Sequence, residues 1–164
     1  MIRAFCIAPM MAKTDKPFRF LVRQLSKEAV LFTEMLHTNS ILYGNQNKLW
    51  EYDEIENPIA LQLGGNDPKS LSEVCKMAEA FDYDEINLNL GCPSPKVKSG
   101  NFGAALMDQP EIVKECLVAM QENSSKTISV KIRLGINEND TNKTLDDFVN
   151  QVSSVGVKVF YVHA

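Results

Sequence analysis

Polar or charged residues occupy every second position in several apolar segments of the sequence. They are Gln62 between Leu61 and Leu63, Asn87 and Asn89 among Ile86, Leu88 and Leu90, Lys131 and Arg133 with Val130 and Ile132, and His163 after Val162. Alternate residues of a β-strand face the same side, so each segment would present its polar groups together. Amides donate and accept hydrogen bonds at once, and burying them or a lysine is costly without a polar partner. Their convergence on one face therefore indicates a ligand site.

Cys92 is the cysteine whose surroundings suit chemistry, because Gly91 and Pro93 fix it in a tight turn directly after one of these segments. The other cysteines, which are interpreted as small buried hydrophobic residues, are Cys6, Cys75 and Cys116. His37 is interpreted as structural. The sequence has no Cys-x-x-Cys pair and no cluster of histidine with cysteine, so we predict no metal site.

Six short segments rich in valine, isoleucine, phenylalanine and leucine predict strands. They are Phe5–Ala8, Val30–Glu34, Ile59–Leu63, Glu85–Leu90, Ile128–Leu134 and Val159–Val162. Helical patterns lie between them, and this alternation predicts an α/β fold with a parallel sheet. Two architectures fit: an open doubly wound sheet and a closed (β/α)8 barrel. No G-x-G-x-x-G follows the first strand, and the pair Gly64-Gly65 is weak evidence.

Capping residues and apolar spacing predict two of the helices in detail. Asp67 followed by Pro68 is typical of a helix start, and Thr144 with Asp147 predicts a capping box. Gly156 can adopt the left-handed conformation that ends a helix. The predicted buried faces are Leu71, Val74, Cys75 and Ala78 in one helix and Leu145, Phe148, Val149 and Val152 in the other.

Polar groups near the carboxyl ends of successive strands favour the barrel, whose active sites lie at that rim. A complete (β/α)8 barrel needs about 250 residues, whereas this sequence has 164 and reaches a sixth strand. We therefore expect residues 1–164 to be the N-terminal part of a TIM barrel catalytic domain. It would be truncated after about six βα units, with strands seven and eight absent.

The composition excludes several classes of protein. The chain has 17 Lys and Arg against 21 Asp and Glu, a net charge of −4, whereas a self-sufficient nucleic-acid-binding protein is normally basic. No apolar run approaches the length of about 20 residues that spans a membrane, and the N-terminus does not resemble a signal peptide. Four cysteines without paired spacing fit a reducing compartment. We predict a cytoplasmic protein that contacts no membrane.

Seven short motifs occur in order, each at a predicted strand end or in the loop after it. They are Ala8-Pro9-Met10-Met11 with Thr14-Asp15, Thr33-Glu34-Met35, Leu61-Gln62-Leu63-Gly64-Gly65, Asn87-Leu88-Asn89-Leu90-Gly91-Cys92-Pro93, Gly103-Ala104-Ala105-Leu106-Met107, Lys131-Ile132-Arg133-Leu134-Gly135 and His163-Ala164. With them the chain resembles the tRNA-dihydrouridine synthases, flavoenzymes that reduce uridine in tRNA. The segment 99–103 and the Leu-Gly-Gly after Gln62 look most similar to the A branch, which modifies positions 20 and 20a of the D-loop. The family's C-terminal helical domain has no counterpart here.

The resemblance implies FMN as the cofactor and NADPH as the reductant. Cys92 would be the general acid that protonates C5 of the uracil while flavin N5 delivers hydride to C6. Lys131 would face the N1/C2=O edge of the flavin, where a cation favours the reduced form, and Gln62 would face its pyrimidine edge. The other residues that the resemblance places at FMN are Pro9, Met10, Met11 and His163.

The resemblance also implies tRNA as the partner of a monomeric enzyme. Asn89 is similar to the residue that hydrogen-bonds the target uracil, and Arg133 would face substrate phosphate or pair with Glu34. Lys96 and Lys98 are a small basic patch that suits contact with the tRNA backbone. Two alternatives stay open. One is another FMN barrel, such as a dihydroorotate dehydrogenase, and the other is a truncated non-catalytic fragment that binds RNA or nothing.

Overall fold

The computed structural model of the chain describes residues 4–45, 52–136 and 142–164. The helices and strands follow the order α1 (Lys16–Leu25), β1 (Leu31–Phe32), β2 (Leu36–His37), α2 (Thr38–Tyr43), β3 (Ile59–Gly64), α3 (Pro68–Ala78), β4 (Glu85–Asn89), α4 (Pro95–Ser99), α5 (Pro110–Glu122), β5 (Thr127–Arg133), α6 (Asn142–Ser153) and β6 (Phe160–His163). Short 3-10 helices lie at Glu54–Glu56 and Gly103–Asp108. The predicted α/β fold is confirmed.

The strands form a parallel half-barrel. Their hydrogen-bonded order is β1-β3-β4-β5-β6, with β2 paired to β3, and every pair is parallel. Because β1 and β2 both pair with β3 as two parts of one interrupted strand, strands that are neighbours in space are neighbours in sequence. An open doubly wound sheet would instead reverse its direction at a switch point, and the described strands show no such reversal. The doubly wound alternative is excluded.

The first two predicted strands are shorter than the sequence indicates. Residues 5–8 contribute one bridge, between Cys6 and Val30, and the predicted strand 30–34 is replaced by β1 and β2. The interruption arises at Thr33, whose hydroxyl oxygen accepts the N–H of Gln62 at 3.0 Å where a backbone carbonyl would otherwise serve. The later strands differ from the prediction by at most one residue at either end.

Helices α3 and α5 pack side by side over one face of the sheet. As predicted, α3 follows Asp67, whose carboxylate accepts the N–H of Ser70 at 2.9 Å. Both helices bury an apolar stripe at helical spacing, namely Leu71, Val74, Cys75 and Ala78 in α3 and Val113, Cys116, Leu117 and Met120 in α5. Together with the apolar residues of β3, β4 and β5, these stripes form the main core.

Helix α6 differs from its predicted start. It begins at Asn142, so Thr144 lies inside the first turn and the capping box predicted at Thr144 and Asp147 is wrong. The predicted apolar face is buried at Phe148 and Val152, and Leu145 and Val149 are partly buried against the core. Gly156 adopts the left-handed conformation expected of it, with φ +95°. None of the helices in the described ranges is long and apolar enough to cross a membrane.

Candidate functional site

The carboxyl ends of the strands surround a cavity of about 940 Å³, a size typical of small-molecule sites. Of the site residues predicted from the sequence, those that line it are Pro9, Met11, Gln62, Asn89, Cys92, Lys131, Arg133 and His163. Met10 is 43% exposed and does not line the cavity. The convergence of polar residues that the alternation predicts is therefore present.

The register of the parallel strands places these residues side by side. The paired positions are Gln62 with Asn87, Asn87 with Ser129, Asn89 with Lys131, and Arg133 with His163. Neighbouring strands lie about 4.8 Å apart, so polar side chains at paired positions are within reach of one another. The register therefore converts four separate alternating segments into one polar surface.

Five side chains on this surface form a continuous chain of hydrogen bonds, here called the polar ladder: Glu85, Ser129, Asn87, Gln62 and Asn89. Ser129 Oγ donates to Glu85 Oε1 at 2.5 Å, and Asn87 Nδ2 donates to Ser129 Oγ at 2.7 Å. Gln62 Nε2 donates to Asn87 Oδ1 at 2.8 Å, and Asn89 Nδ2 donates to Gln62 Oε1 at 3.0 Å. All five residues are buried, and their mutual hydrogen bonds offset the cost of removing them from water.

Glu85 and Ser129 are the members of the ladder that sequence analysis missed. The signal was available, because Glu85 has the same alternation as Asn87, and Ser129 the same as Lys131. Below the ladder, towards the amino ends of the strands, the interior is apolar. Phe32 meets Tyr161 edge to face at 5.1 Å, and the Tyr161 hydroxyl donates to Glu85 Oε2 at 3.3 Å.

Cys92 is half-buried in the turn after β4, and Asn89 organises the backbone of that turn. Asn89 Oδ1 accepts the N–H of Gly91 at 3.2 Å and the N–H of Cys92 at 3.0 Å. The Cys92 thiol donates to Ser94 Oγ at 3.6 Å, and the Cys92 carbonyl accepts the N–H of Ala104 at 3.1 Å. The thiol is therefore held at the cavity wall by a turn that is fixed from two sides.

Gly103 allows the hydrogen bond between the N–H of Ala104 and the Cys92 carbonyl. Its φ is +64°, a conformation that side chains with a Cβ rarely adopt, and an added Cβ would lie 2.8 Å from the Cys92 carbonyl oxygen and 2.4 Å from a methyl group of Val97. The approach of the segment 103–108 to the cysteine turn therefore requires glycine.

The loop that contains Pro9, Met10 and Met11 is fixed by two side chains, Thr14 and Glu34, whose part in this loop sequence analysis did not predict. Thr14, which is fully buried, accepts the N–H of Met10 at 3.0 Å and donates to its carbonyl at 3.2 Å. Glu34 accepts the N–H of Ala12. The backbone of the loop is thereby oriented at the cavity rim.

Two cations lie in the cavity wall. Lys131 is half-buried and has no hydrogen-bond or ion-pair partner among the residues that the structure describes; burial, and then the nearby Arg133 guanidinium, lower its pKa. Arg133 lies 3.3 Å from His163 Nδ1 and donates to the Gly91 carbonyl at 3.5 Å, and the described residues show no ion pair between Arg133 and Glu34. No Asp or Glu of the described residues lines the cavity. These features favour an anionic or electron-rich ligand.

The other end of the cavity is apolar and was missed by sequence analysis. It is lined by Met35, Leu36, Val97 and Phe102, with His37 and Ser40. His37, which we interpreted as structural, lines this end, and its ring meets Phe102 edge to face at 4.7 Å. Its Nδ1 accepts the N–H of Asn39 at 3.1 Å. Apolar residues in loops have no periodicity that marks them as cavity walls, so the sequence carried no signal here.

The remaining cysteines differ from Cys92. Cys75 and Cys116 are fully buried, as predicted, and burial raises the pKa of each thiol to about 12, whereas Cys6 is half-buried. Within the described ranges no group of three or more His, Cys, Asp or Glu residues is arranged to hold a metal ion. The side chains of Lys96 and Lys98, the predicted basic patch, lie outside what the structure describes.

Comparisons with known proteins agree with the motifs. A family model described as "Dihydrouridine synthase (Dus)" matches residues 6–164. The chain is similar to proteins named tRNA-dihydrouridine(20/20a) synthase. That of Synechocystis sp. is 45% identical over 163 residues, which is 99% of this chain and 49% of the relative. That of Pseudomonas aeruginosa is 46% identical over 162 residues, which is 99% of this chain and 49% of the relative. That of Escherichia coli is 46% identical over 161 residues, which is 98% of this chain and 46% of the relative. The chain thus spans about half the length of the curated relatives it matches.

Proposed function

Because the chain belongs to the dihydrouridine synthase family, we propose that it is part of an enzyme that reduces uridine to 5,6-dihydrouridine in tRNA. The names of its relatives specify positions 20 and 20a, and we extend those positions to this protein. The observation that carries the proposal is the Cys92 thiol at the wall of a cavity that has two cations and no carboxylate among its lining residues. We propose that the reaction takes place in the cytoplasm and that the enzyme is a monomer.

The cavity residues fit FMN as the cofactor. The half-buried Lys131, without a partner among the described residues, suits an electron-rich ring edge. Gln62 uses one N–H and one acceptor position in the polar ladder, and so keeps one of each for a ligand. Pro9, Met11 and His163 complete this set. When bound and reduced by NADPH, FMN would supply the hydride that adds to C6 of the uracil.

Cys92 would hold the proton that adds to C5. Saturating the C5=C6 bond requires one proton for each hydride, and the S–H bond of Cys92 would break as the C5–H bond forms. The hydrogen bond to Ser94 Oγ orients the thiol, and water would return the proton to the resulting thiolate. Asn89 would hold a carbonyl oxygen of the base, and Arg133 a phosphate of the tRNA.

The half-barrel would be the first part of a (β/α)8 barrel. Its remaining strands would lie in the portion of the relatives that this chain does not span. In barrels of this kind the phosphate site is commonly formed by the loops after strands seven and eight, so the FMN phosphate would be bound there.

The proposal is tested with the intact protein, NADPH and tRNA that lacks dihydrouridine. We expect the protein to bind FMN and to form dihydrouridine at positions 20 and 20a, measured by mass spectrometry of tRNA fragments. The variant Cys92→Ala is the matched control and should form almost none. Reduction of orotate without reduction of tRNA would assign the protein to another class of FMN barrel. A protein that binds FMN but reduces neither would refute the proposed activity.

A further inference from the structure

The polar ladder runs between two ends of opposite hydrogen-bonding character. At one end the carboxylate of Glu85 accepts hydrogen bonds from Ser129 and Tyr161. At the other end the backbone N–H groups of Gly91 and Cys92 donate to Asn89 Oδ1. Glu85 accepts at both of its carboxylate oxygens, and a backbone N–H only donates.

These two ends fix the direction of every link between them. Ser129 has a single hydroxyl hydrogen and gives it to Glu85, so it must accept from Asn87, which therefore turns Nδ2 towards Ser129 and Oδ1 towards Gln62. Gln62 must then donate to Asn87 through Nε2 and accept from Asn89 through Oε1. The result is the arrangement that Asn89 also needs in order to accept from the two N–H groups of the cysteine turn. An amide flipped anywhere along the ladder would oppose two donors or two acceptors.

We propose that Glu85 and Ser129 are positioning residues that set the amide orientations of Gln62 and Asn89 from the opposite end of the strands. This inference rests on the proposed function, because it assigns these amides to the cofactor and the base. Asn89 uses both acceptor positions of Oδ1 and one N–H within the described part of the chain. It therefore offers the ligand one N–H and nothing else.

A donor at Asn89 selects the chemistry of the base that it meets. At C4 uracil presents a carbonyl oxygen, which would accept this hydrogen bond from Asn89. An exocyclic amino group at the same place, such as that of cytosine at C4, would bring two donors together, which costs binding energy because neither group is then satisfied. The carboxylate of Glu85 thereby contributes to base selection without touching the base.

An isosteric pair of variants at Ser129 separates hydrogen bonding from packing. Threonine keeps the hydroxyl group, whereas valine replaces it with a methyl group of similar size, so Ser129→Thr and Ser129→Val disturb the packing equally. In the intact protein, we would measure hydrogen exchange of the Asn89 and Gln62 side-chain amides by NMR, assigned with Asn89→Asp and Gln62→Glu. The kcat and KM for tRNA would be measured in parallel. Glu85→Gln, which can donate as well as accept, is the second variant if Ser129→Val does not fold.

We expect the side-chain amides of Asn89 and Gln62 to exchange their hydrogens about tenfold faster in Ser129→Val than in Ser129→Thr. A factor of this size corresponds to the loss of one hydrogen bond. The kcat of Ser129→Val should fall by a similar factor while the KM for tRNA is unchanged, because tRNA affinity comes mainly from phosphate contacts. Equal exchange rates in the two variants would overturn the inference. If the unmodified protein does not reduce uridine, the proposed function fails, and the exchange rates still decide whether Ser129 orders the ladder.

Discussion

The two faces of β3, β4 and β5 carry opposite kinds of side chain, apolar on one face and polar on the other. The face that α3 and α5 cover is made only of apolar side chains, such as Leu63, Leu88 and Val130, all fully buried. The face towards the cavity carries the polar ladder and Lys131. The backbone groups inside a helix are hydrogen-bonded within it, and the stripes that α3 and α5 turn to the sheet are apolar. Polar residues on the covered face would therefore be unsatisfied. Chemistry is therefore confined to the face that lacks helices, and the strand period of two assigns each residue to its face.

The cysteines show the same contrast on a smaller scale. Cys75 and Cys116 lie on helical stripes that face the sheet, whereas Cys92 lies at the cavity wall with a hydroxyl group beside it. The residue type is identical, and the difference in chemical availability comes from the side of the sheet on which each thiol lies.

The largest expected difference between the two faces is in thiol reactivity. Burial raises the pKa of Cys75 and Cys116 from 9.0 to about 12, which lowers the fraction of reactive thiolate about 10³-fold. In the native protein we expect an alkylating reagent at pH 8 to modify Cys92, which lines the cavity, far faster than the fully buried Cys75 and Cys116, as measured by peptide mass spectrometry. Denaturant should equalise the rates. Similar rates in the native state would contradict the contrast.

Removing each thiol should separate the faces in catalysis. Cys92→Ala should slow uridine reduction by about 10²-fold or more, the usual cost of losing a general acid, while FMN stays bound and NADPH oxidation continues. Cys116→Ala, on the helix-covered side, should leave the rate of uridine reduction unchanged. Both are measured in single turnover with prereduced enzyme. Undiminished dihydrouridine formation by Cys92→Ala would remove Cys92 from the reaction.

A cation on the cavity side should matter more than one on the helix side. Lys131→Met should lower the flavin reduction potential and weaken FMN binding about tenfold, because a positive charge beside the ring stabilises its reduced form. Since the pKa of Lys131 is lowered, the difference from the parent should shrink as the pH rises towards that value. Lys114→Met, which loses an ion pair between the half-buried Lys114 and the exposed Glu111, is the control. Equal potentials by dye equilibration would leave Lys131 a structural role only.

The smallest effect is expected at the mouth of the cavity. Arg133→Gln should raise the KM for tRNA a few-fold. It should also reduce the slope of the logarithm of the tRNA binding constant against the logarithm of salt concentration by about one, as loss of a single phosphate contact does. The kcat should be unchanged. A fall in kcat at constant KM would instead assign Arg133 to positioning of the base.

The sequence predicted the faces of the strands better than their contacts. Asn87, Asn89 and Lys131 were assigned correctly because side-chain direction follows from the period of two alone. Their partners were not predictable, since the pairing of Asn87 with Ser129 depends on register between strands 42 residues apart. The break at Thr33 was missed because it arises from a side chain that replaces a backbone acceptor, which no apolar pattern records.

Loops were the other source of error. The apolar end of the cavity, including His37, comes from segments brought together by the fold, and neither periodicity nor charge marks them. The start of α6 was misplaced by three residues because Thr144, a good capping residue that predicts a helix from residue 145, here lies within the helix. Capping preferences are weak compared with the packing of an apolar face.

The directed hydrogen bonds of the polar ladder constrain how this sequence can change over time. Each side chain has the correct donor or acceptor only while its two neighbours keep theirs, so the effect of a substitution at Asn87 depends on the residues at positions 62 and 129. Substitutions within such a network are strongly non-additive. A new base specificity at Asn89 would therefore require coordinated replacements along the ladder, and most single steps towards it would first reduce fitness.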